Sequence, residues 1–83
     1  MLVENLYVEM IEALCKSRRW SDRNLAMLAS VGRTDVPMRL IGLAMFDKDE
    51  RVCRAAELAS EGRELPYWVV EELEKRARET KVL

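Results

Sequence analysis

The segment Leu28-Ala-Ser-Val-Gly-Arg33 returns thirty residues later as Leu58-Ala-Ser-Glu-Gly-Arg63, with five of six positions identical. The register extends to Ala26 with Ala56 and to Leu43 with Leu73, and Pro37 pairs with Pro66 after one deletion. A period of this length marks one supersecondary unit used twice, because a single unit cannot bury its apolar face alone. Each copy closes with Gly-Arg, and Pro follows three or four residues later. That order describes a helix that stops and a second helix that starts.

The rest of the chain agrees with helix throughout. Its 83 residues are 49% hydrophobic and 35% charged, with three Gly and two Pro. Such a composition excludes disorder and is dominated by good helix formers. The length allows one domain, 1–83, whose thin core leaves many side chains half-covered.

Five helices are expected. The N-terminal helix covers 2–17, with Val3, Leu6, Met10 and Leu14 at helical spacing and Tyr7, Val8 and Ile11 on a further side. Ser21 caps the second helix, whose Leu25, Leu28 and Ala29 face inward. Gly32 ends it in a left-handed conformation. Thr34 or Asp35 caps the third helix, which contains Pro37 in its first turn and Gly42 in its middle. Glycine there costs ~1 kcal/mol of helix propensity, and close approach of a crossing helix is the expected compensation. Asp47 caps the fourth helix, with Glu50 three residues on. Gly62 ends it, and Pro66 opens the fifth. There Val69, Val70, Leu73 and Ala77 form the inward stripe, and Glu71–Lys75, Glu72–Arg76 and Glu74–Arg78 are spaced for ion pairs.

These elements make an all-α fold of two stacked helical hairpins, about 21–46 and 47–80, plus the N-terminal helix. Asp35, Pro37 and Arg39, then Asp47, Asp49, Glu50, Val52, Arg54, Ala55, Ala56 and Leu58, follow the order of a HEAT unit. Over residues 21–74 the chain resembles the HEAT and armadillo class of helical repeats. Cys53 between Val52 and Arg54 departs from the usual adjacent pair. The resemblance implies stacked hairpins and a binding role, and no catalytic residue. A fainter likeness, to small archaeal helical proteins with Val-Pro and Leu-Pro helix starts, adds no function.

Chemistry is sparse. There is no histidine, and Cys15 and Cys53 stand 38 residues apart within apolar patterns. Zinc held by Cys and His is excluded, and neither thiol has an imidazole to activate it; two buried, reduced thiols are expected. Asp47-Lys-Asp begins like a calcium loop, but Val52 and Leu58 occupy the positions where Gly and Glu are needed. An enzyme is therefore not expected, nor a cofactor or metal. Glu4 near the start argues against a secretory signal. The longest uncharged run, 40–46, is too short for a bilayer. A cytoplasmic protein without membrane contact is expected. Arginine outnumbers lysine ten to four and Gln is absent, a composition that suits a thermophile.

Net charge is −1, but it is unevenly placed: −3 over 1–15, +4 over 16–39, −5 over 40–74 and +3 over 75–83. Two binding surfaces follow. The N-terminal helix has more apolar surface than one neighbour can cover, so Tyr7, Val8 and Ile11 are candidates for a protein partner or a homodimer contact, with Val3, Leu6, Met10 and Leu14 facing the chain's own core. The opposite assignment of these two faces fits the sequence equally. Arg18, Arg19, Trp20 and Arg23, with the repeated Arg33 and Arg63, form a basic set that could grip RNA phosphates or an acidic segment. Alternatively Trp20 plugs the core and the arginines complement helix C-termini. If the units stack, Arg33 and Arg63 lie on one edge, roughly 10 Å apart. The expected function is a small helical adaptor for protein partners, and the alternative is an accessory factor for RNA or a ribonucleoprotein.

Overall fold

A computed structural model describes residues 3–81, with side chains over 7–79. It contains five helices and, among the described residues, no strand: α1 (Val3–Cys15), α2 (Trp20–Ser30), α3 (Met38–Ala44), α4 (Glu50–Ser60) and α5 (Tyr67–Lys81). The body is elongated, 50 × 26 × 16 Å. No helix among the described residues is long and apolar enough to cross a membrane.

α2 is the middle helix, with α1 on one side and α4 on the other, and α3 touches all three. The short link 16–19 makes α1 antiparallel to α2, so Tyr7 lies beside Arg33. α2 and α4 run parallel, because their starts are pinned together. Arg51 stacks 3.3 Å from the centre of the Trp20 ring, and Arg23 forks onto Asp47 at 2.8 and 3.1 Å.

The two copies of the repeated hexapeptide adopt one geometry. Val31 and Glu61 are extended, Gly32 and Gly62 both have φ +76°, and Arg33 and Arg63 donate their N–H groups to the carbonyls of Ser30 and Ser60 at 3.1 and 3.0 Å. These are type II turns, which require positive φ at their third residue. The expected positive φ is present, but it serves a turn that reverses the chain sharply.

Helix starts differ from expectation by two or three residues. Ser21 does not cap α2: the N-cap is Arg19, with no side-chain cap, and Ser17 closes the turn before it, its hydroxyl accepting from the Arg19 N–H and donating to Asp22. Neither Thr34 nor Asp35 caps α3, which begins directly after Pro37. Asp49 caps α4 by accepting from the Arg51 N–H, while Asp47 accepts from the Asp49 N–H and holds Arg23. Of the three expected pairs on α5, Glu72–Arg76 forms at 3.1 Å.

The core is built from small and medium residues. Ala26, Met27 and Ser30 of α2 meet Val52, Ala55, Ala56 and Ala59 of α4, with Ile11, Val36, Leu40 and Ile41 completing it. The Ser30 hydroxyl donates to the Ala26 carbonyl at 2.7 Å, so burial leaves it satisfied. Leu25 and Leu28 do not face inward: both are exposed, and Ala29 is half-buried. On α1 the faces are also corrected. Ile11 is buried and Met10 is exposed, and the side chains of Val3 and Leu6 lie outside the described residues. On α5 only Val69 of the expected stripe is buried, while Leu73 and Ala77 are exposed.

Gly42 shows why α5 joins where it does. A Cβ at this position would lie 2.8 Å from Val69 Cγ2 and 3.1 Å from the Trp68 ring. The hydrogen of glycine is what lets α5 cross α3 so closely.

Candidate protein-docking groove

Among the described residues, the outer side of α1 and α2 carries an apolar groove. Tyr7, Met10, Ile11, Leu14, Leu25 and Ala29 line a groove of about 150 Å³ between the two helices. Spacing explains the arrangement. Residues 7, 10 and 14 fall on one side of α1. Leu25 and Leu28 fall on the side of α2 away from Ala26, Met27 and Ser30. Met10 is 62% exposed, Leu25 54% and Leu28 49%. Ile11 forms the groove floor from the chain's own core and is not a free contact residue. Val8 is half-buried. Of the apolar trio suggested by sequence, Tyr7 is the one that reaches the surface, and the Arg33 guanidinium covers part of its ring, 4.1 Å from the centre.

The basic set is mostly engaged within the fold. Arg23 binds Asp47 through two nitrogens and gives a third hydrogen bond to the Ser17 carbonyl at 2.9 Å. The bond to Asp47 raises the Arg23 pKa further. Burial pushes the Asp47 carboxyl up, but the Arg23 fork and the Asp49 N–H outweigh it and leave it below its ordinary value. Arg33 forks onto Asp35 and stacks on Tyr7. Arg63 donates to the Val36 carbonyl. The two repeated arginines therefore converge on the 35–36 loop and lock it, and they do not form an open clamp. Trp20 is neither a core plug nor a bare stacking platform: it is partly exposed and Arg51 lies over its ring. Arg51 in turn forks onto Asp49, whose carboxyl is held at about 2 chiefly by that bond. Arg18 and Arg19 are exposed, with no side-chain partner among the described residues.

A second cleft, of about 200 Å³, is lined by Cys15, Lys16, Arg23, Arg39, Leu40, Leu43, Ala44 and Asp47. Both thiols are half-buried and free. Burial, helped by Glu12, raises the Cys15 pKa, and burial, helped by Asp47 and Glu57, raises that of Cys53. The Cys53 thiol donates to the Asp47 carbonyl at 2.9 Å. A thiol with raised pKa is a poor nucleophile near neutral pH. Among the described residues no three His, Cys, Asp or Glu side chains gather to hold a metal.

Sequence reasoning missed Met10, Leu25 and Leu28 as surface residues. A signal existed in α2: Ala26, Met27 and Ser30 already fill a helical face, so two leucines at other angles are surplus to it. The Arg51–Trp20 and Arg33–Tyr7 stacks join residues 31 and 26 positions apart, and no local spacing encodes them. No protein-family model, curated protein or solved structure matches the chain.

Proposed function

We propose that this chain is a small non-enzymatic helical module that binds protein through the α1/α2 groove. The observation that carries this reading is the exposure of Met10 and Leu25 on one apolar groove, with Leu28 exposed on the same outer side of α2. The largest apolar patch on a monomeric surface often marks an interaction site. A groove between two antiparallel helices suits an amphipathic helix, which presents anchors at i, i+3 or i+4, and i+7. The HEAT-like order of residues favours the same class of function.

The RNA reading has less support. Phosphate recognition needs unengaged guanidinium groups, and Arg23, Arg33 and Arg63 already bind partners within the fold.

The test is affinity capture from native extract with the native chain and with Met10→Glu/Leu25→Glu, each with and without ribonuclease. Both positions are exposed, so the variant retains the fold, which circular dichroism checks. The expected result is a set of proteins retained by the native chain, insensitive to ribonuclease and lost with the variant. Equal capture by both chains, or capture abolished by ribonuclease, would overturn the reading.

A further inference from the structure

We propose that the end of the molecule where α2 and α4 begin binds single-stranded nucleic acid, stacking a base on the Arg51 guanidinium and holding phosphates with Lys16, Arg18, Arg19 and Lys48. The site uses cations that the fold leaves free, in place of Arg23, Arg33 and Arg63. It is separate from the α1/α2 groove, and neither reading rests on the other.

Three contacts hold two segments side by side. The Arg23 guanidinium donates to the Ser17 carbonyl at 2.9 Å and forks onto Asp47 at 2.8 and 3.1 Å. Arg51 lies on the Trp20 ring, 3.3 Å from its centre. The link 16–19 and residues 47–51 are thereby neighbours. Their acids are occupied: Asp47 holds Arg23, Asp49 holds Arg51, Glu50 holds Arg54, and Asp22 accepts from the Ser17 hydroxyl. Lys16, Arg18, Arg19 and Lys48 are exposed and have no side-chain partner among the described residues. Each is the chain neighbour of a residue in those contacts, about 3.8 Å away between Cα atoms, so their long side chains reach one short strand. Residues 16–23 carry +3 and residues 47–54 are neutral, in a chain of −1. Positive charge is therefore concentrated at this end, against an acidic remainder.

Arg51 supplies what a grip on phosphates alone lacks. Its guanidinium is planar, and the fork onto Asp49, at 3.1 and 2.9 Å, fixes it by one edge. One face lies on the indole. The side chain is still 57% exposed, so the face away from Trp20 is open. Bases splayed out of single strands stack on arginine planes and aromatic rings. A base on Arg51 completes a base–guanidinium–indole stack. Carboxylates would bring charge but no ring to this plane, which favours nucleic acid over an acidic protein. The footprint is short. Four free cations meet three or four phosphates, and the acidic remainder opposes a longer contact.

The experiment is fluorescence anisotropy with the full chain and three labelled probes: an oligouridine of about ten nucleotides, an abasic strand with the same number of phosphates, and polyglutamate of the same charge. Oligouridine should bind with a Kd below about 100 μM in ~0.05 M salt. The slope of log K against log salt should lie between about −2 and −3, the value for three or four phosphates on a single strand. The abasic strand should bind at least about fivefold more weakly. Arg18→Ala/Arg19→Ala, at exposed positions, should flatten the slope by roughly 1.4. Arg51→Lys keeps the charge and removes the plane. It should weaken oligouridine at least about fivefold and leave the abasic strand unchanged. Circular dichroism checks both variants, and the three probes compared on the native chain need no variant. Absence of oligouridine binding in ~0.05 M salt overturns the proposal. So does equal affinity for oligouridine and the abasic strand, which removes the stacked base. A slope unchanged by Arg18→Ala/Arg19→Ala overturns the phosphate assignment. Polyglutamate that binds as tightly as oligouridine overturns the choice of nucleic acid and assigns the surface to an acidic protein.

Discussion

Replacing Gly42 by Ala sets two opposing effects against each other, and the geometry decides which wins. Gly42 lies inside α3, where Ala is the better helix former by about 1 kcal/mol. If propensity alone acted, Gly42→Ala would stabilise the protein by that amount. The new methyl, however, would sit 2.8 Å from Val69 Cγ2 and 3.1 Å from two carbons of the Trp68 ring. Carbon contacts settle near 3.5–4.0 Å, so neighbours must move by roughly half an ångström or more. Val69 is fully buried and β-branched, which leaves it no second rotamer in a helix. The Trp68 ring stands 6.4 Å from Phe46, which limits its retreat. The strain therefore falls on the seating of α5 as a whole. Overpacking of this kind costs about 1–3 kcal/mol, so the expected net change is a destabilisation of about 1 kcal/mol. Urea titration followed by circular dichroism measures it. Amide exchange should also show faster exchange in α5 than in α2 or α4. Adding Val69→Ala removes the clashing methyl, so the double substitution should cost less than the sum of the two single ones. A Gly42→Ala protein that is about 1 kcal/mol more stable, with α5 exchange unchanged, would refute the close crossing.

Three further outcomes follow from the same structure. Gly32→Ala and Gly62→Ala meet no atom within 4 Å, so each should cost only the left-handed backbone penalty of ~1–2 kcal/mol, seen in thermal melts as similar falls in Tm for the two sites. The folded Asp49 carboxyl lies at about 2 against an ordinary 3.8, so protonation favours the unfolded chain; Tm should be level above about pH 5, fall as pH drops through 4 toward 2, and fall less steeply in Asp49→Asn. Ile11→Ala should cost about 2–5 kcal/mol as a buried truncation, whereas Met10→Ala should stay within about 0.5 kcal/mol, a contrast that urea titration resolves and that equal effects would refute.

The order and number of helices were legible because their ends carry residues with fixed backbone demands. Gly32 and Gly62 require positive φ, and Pro37 and Pro66 cannot extend a preceding helix. The faces were less legible. Hydrophobic size pointed Leu25 and Leu28 inward, yet α2 lies between α1 and α4, and its core side is filled by Ala26, Met27 and Ser30. Close helix approach selects small residues, so size is a poor guide to burial in a layer this thin. The caps slipped for a related reason. Asp47 has the right spacing for α4, but Arg23, 24 residues earlier, holds it, and Asp49 takes the cap. The basic set was visible as composition. Its occupation by Asp35, Asp47 and the Val36 carbonyl depends on tertiary neighbours that spacing does not reveal.

The most direct measurement of the central claim is photo-cross-linking from the groove itself. A benzophenone side chain placed at Met10, exposed at the lip of the groove, is irradiated in native extract beside two controls, one at Glu57 on the outer side of α4 and one at Arg18. Mass spectrometry identifies the adducts. A protein adduct at Met10, absent at Glu57 and diminished by Leu25→Glu, is the predicted result. Adducts at Met10 no more abundant than at Glu57, or nucleic acid captured at Arg18 with no protein at Met10, would contradict it.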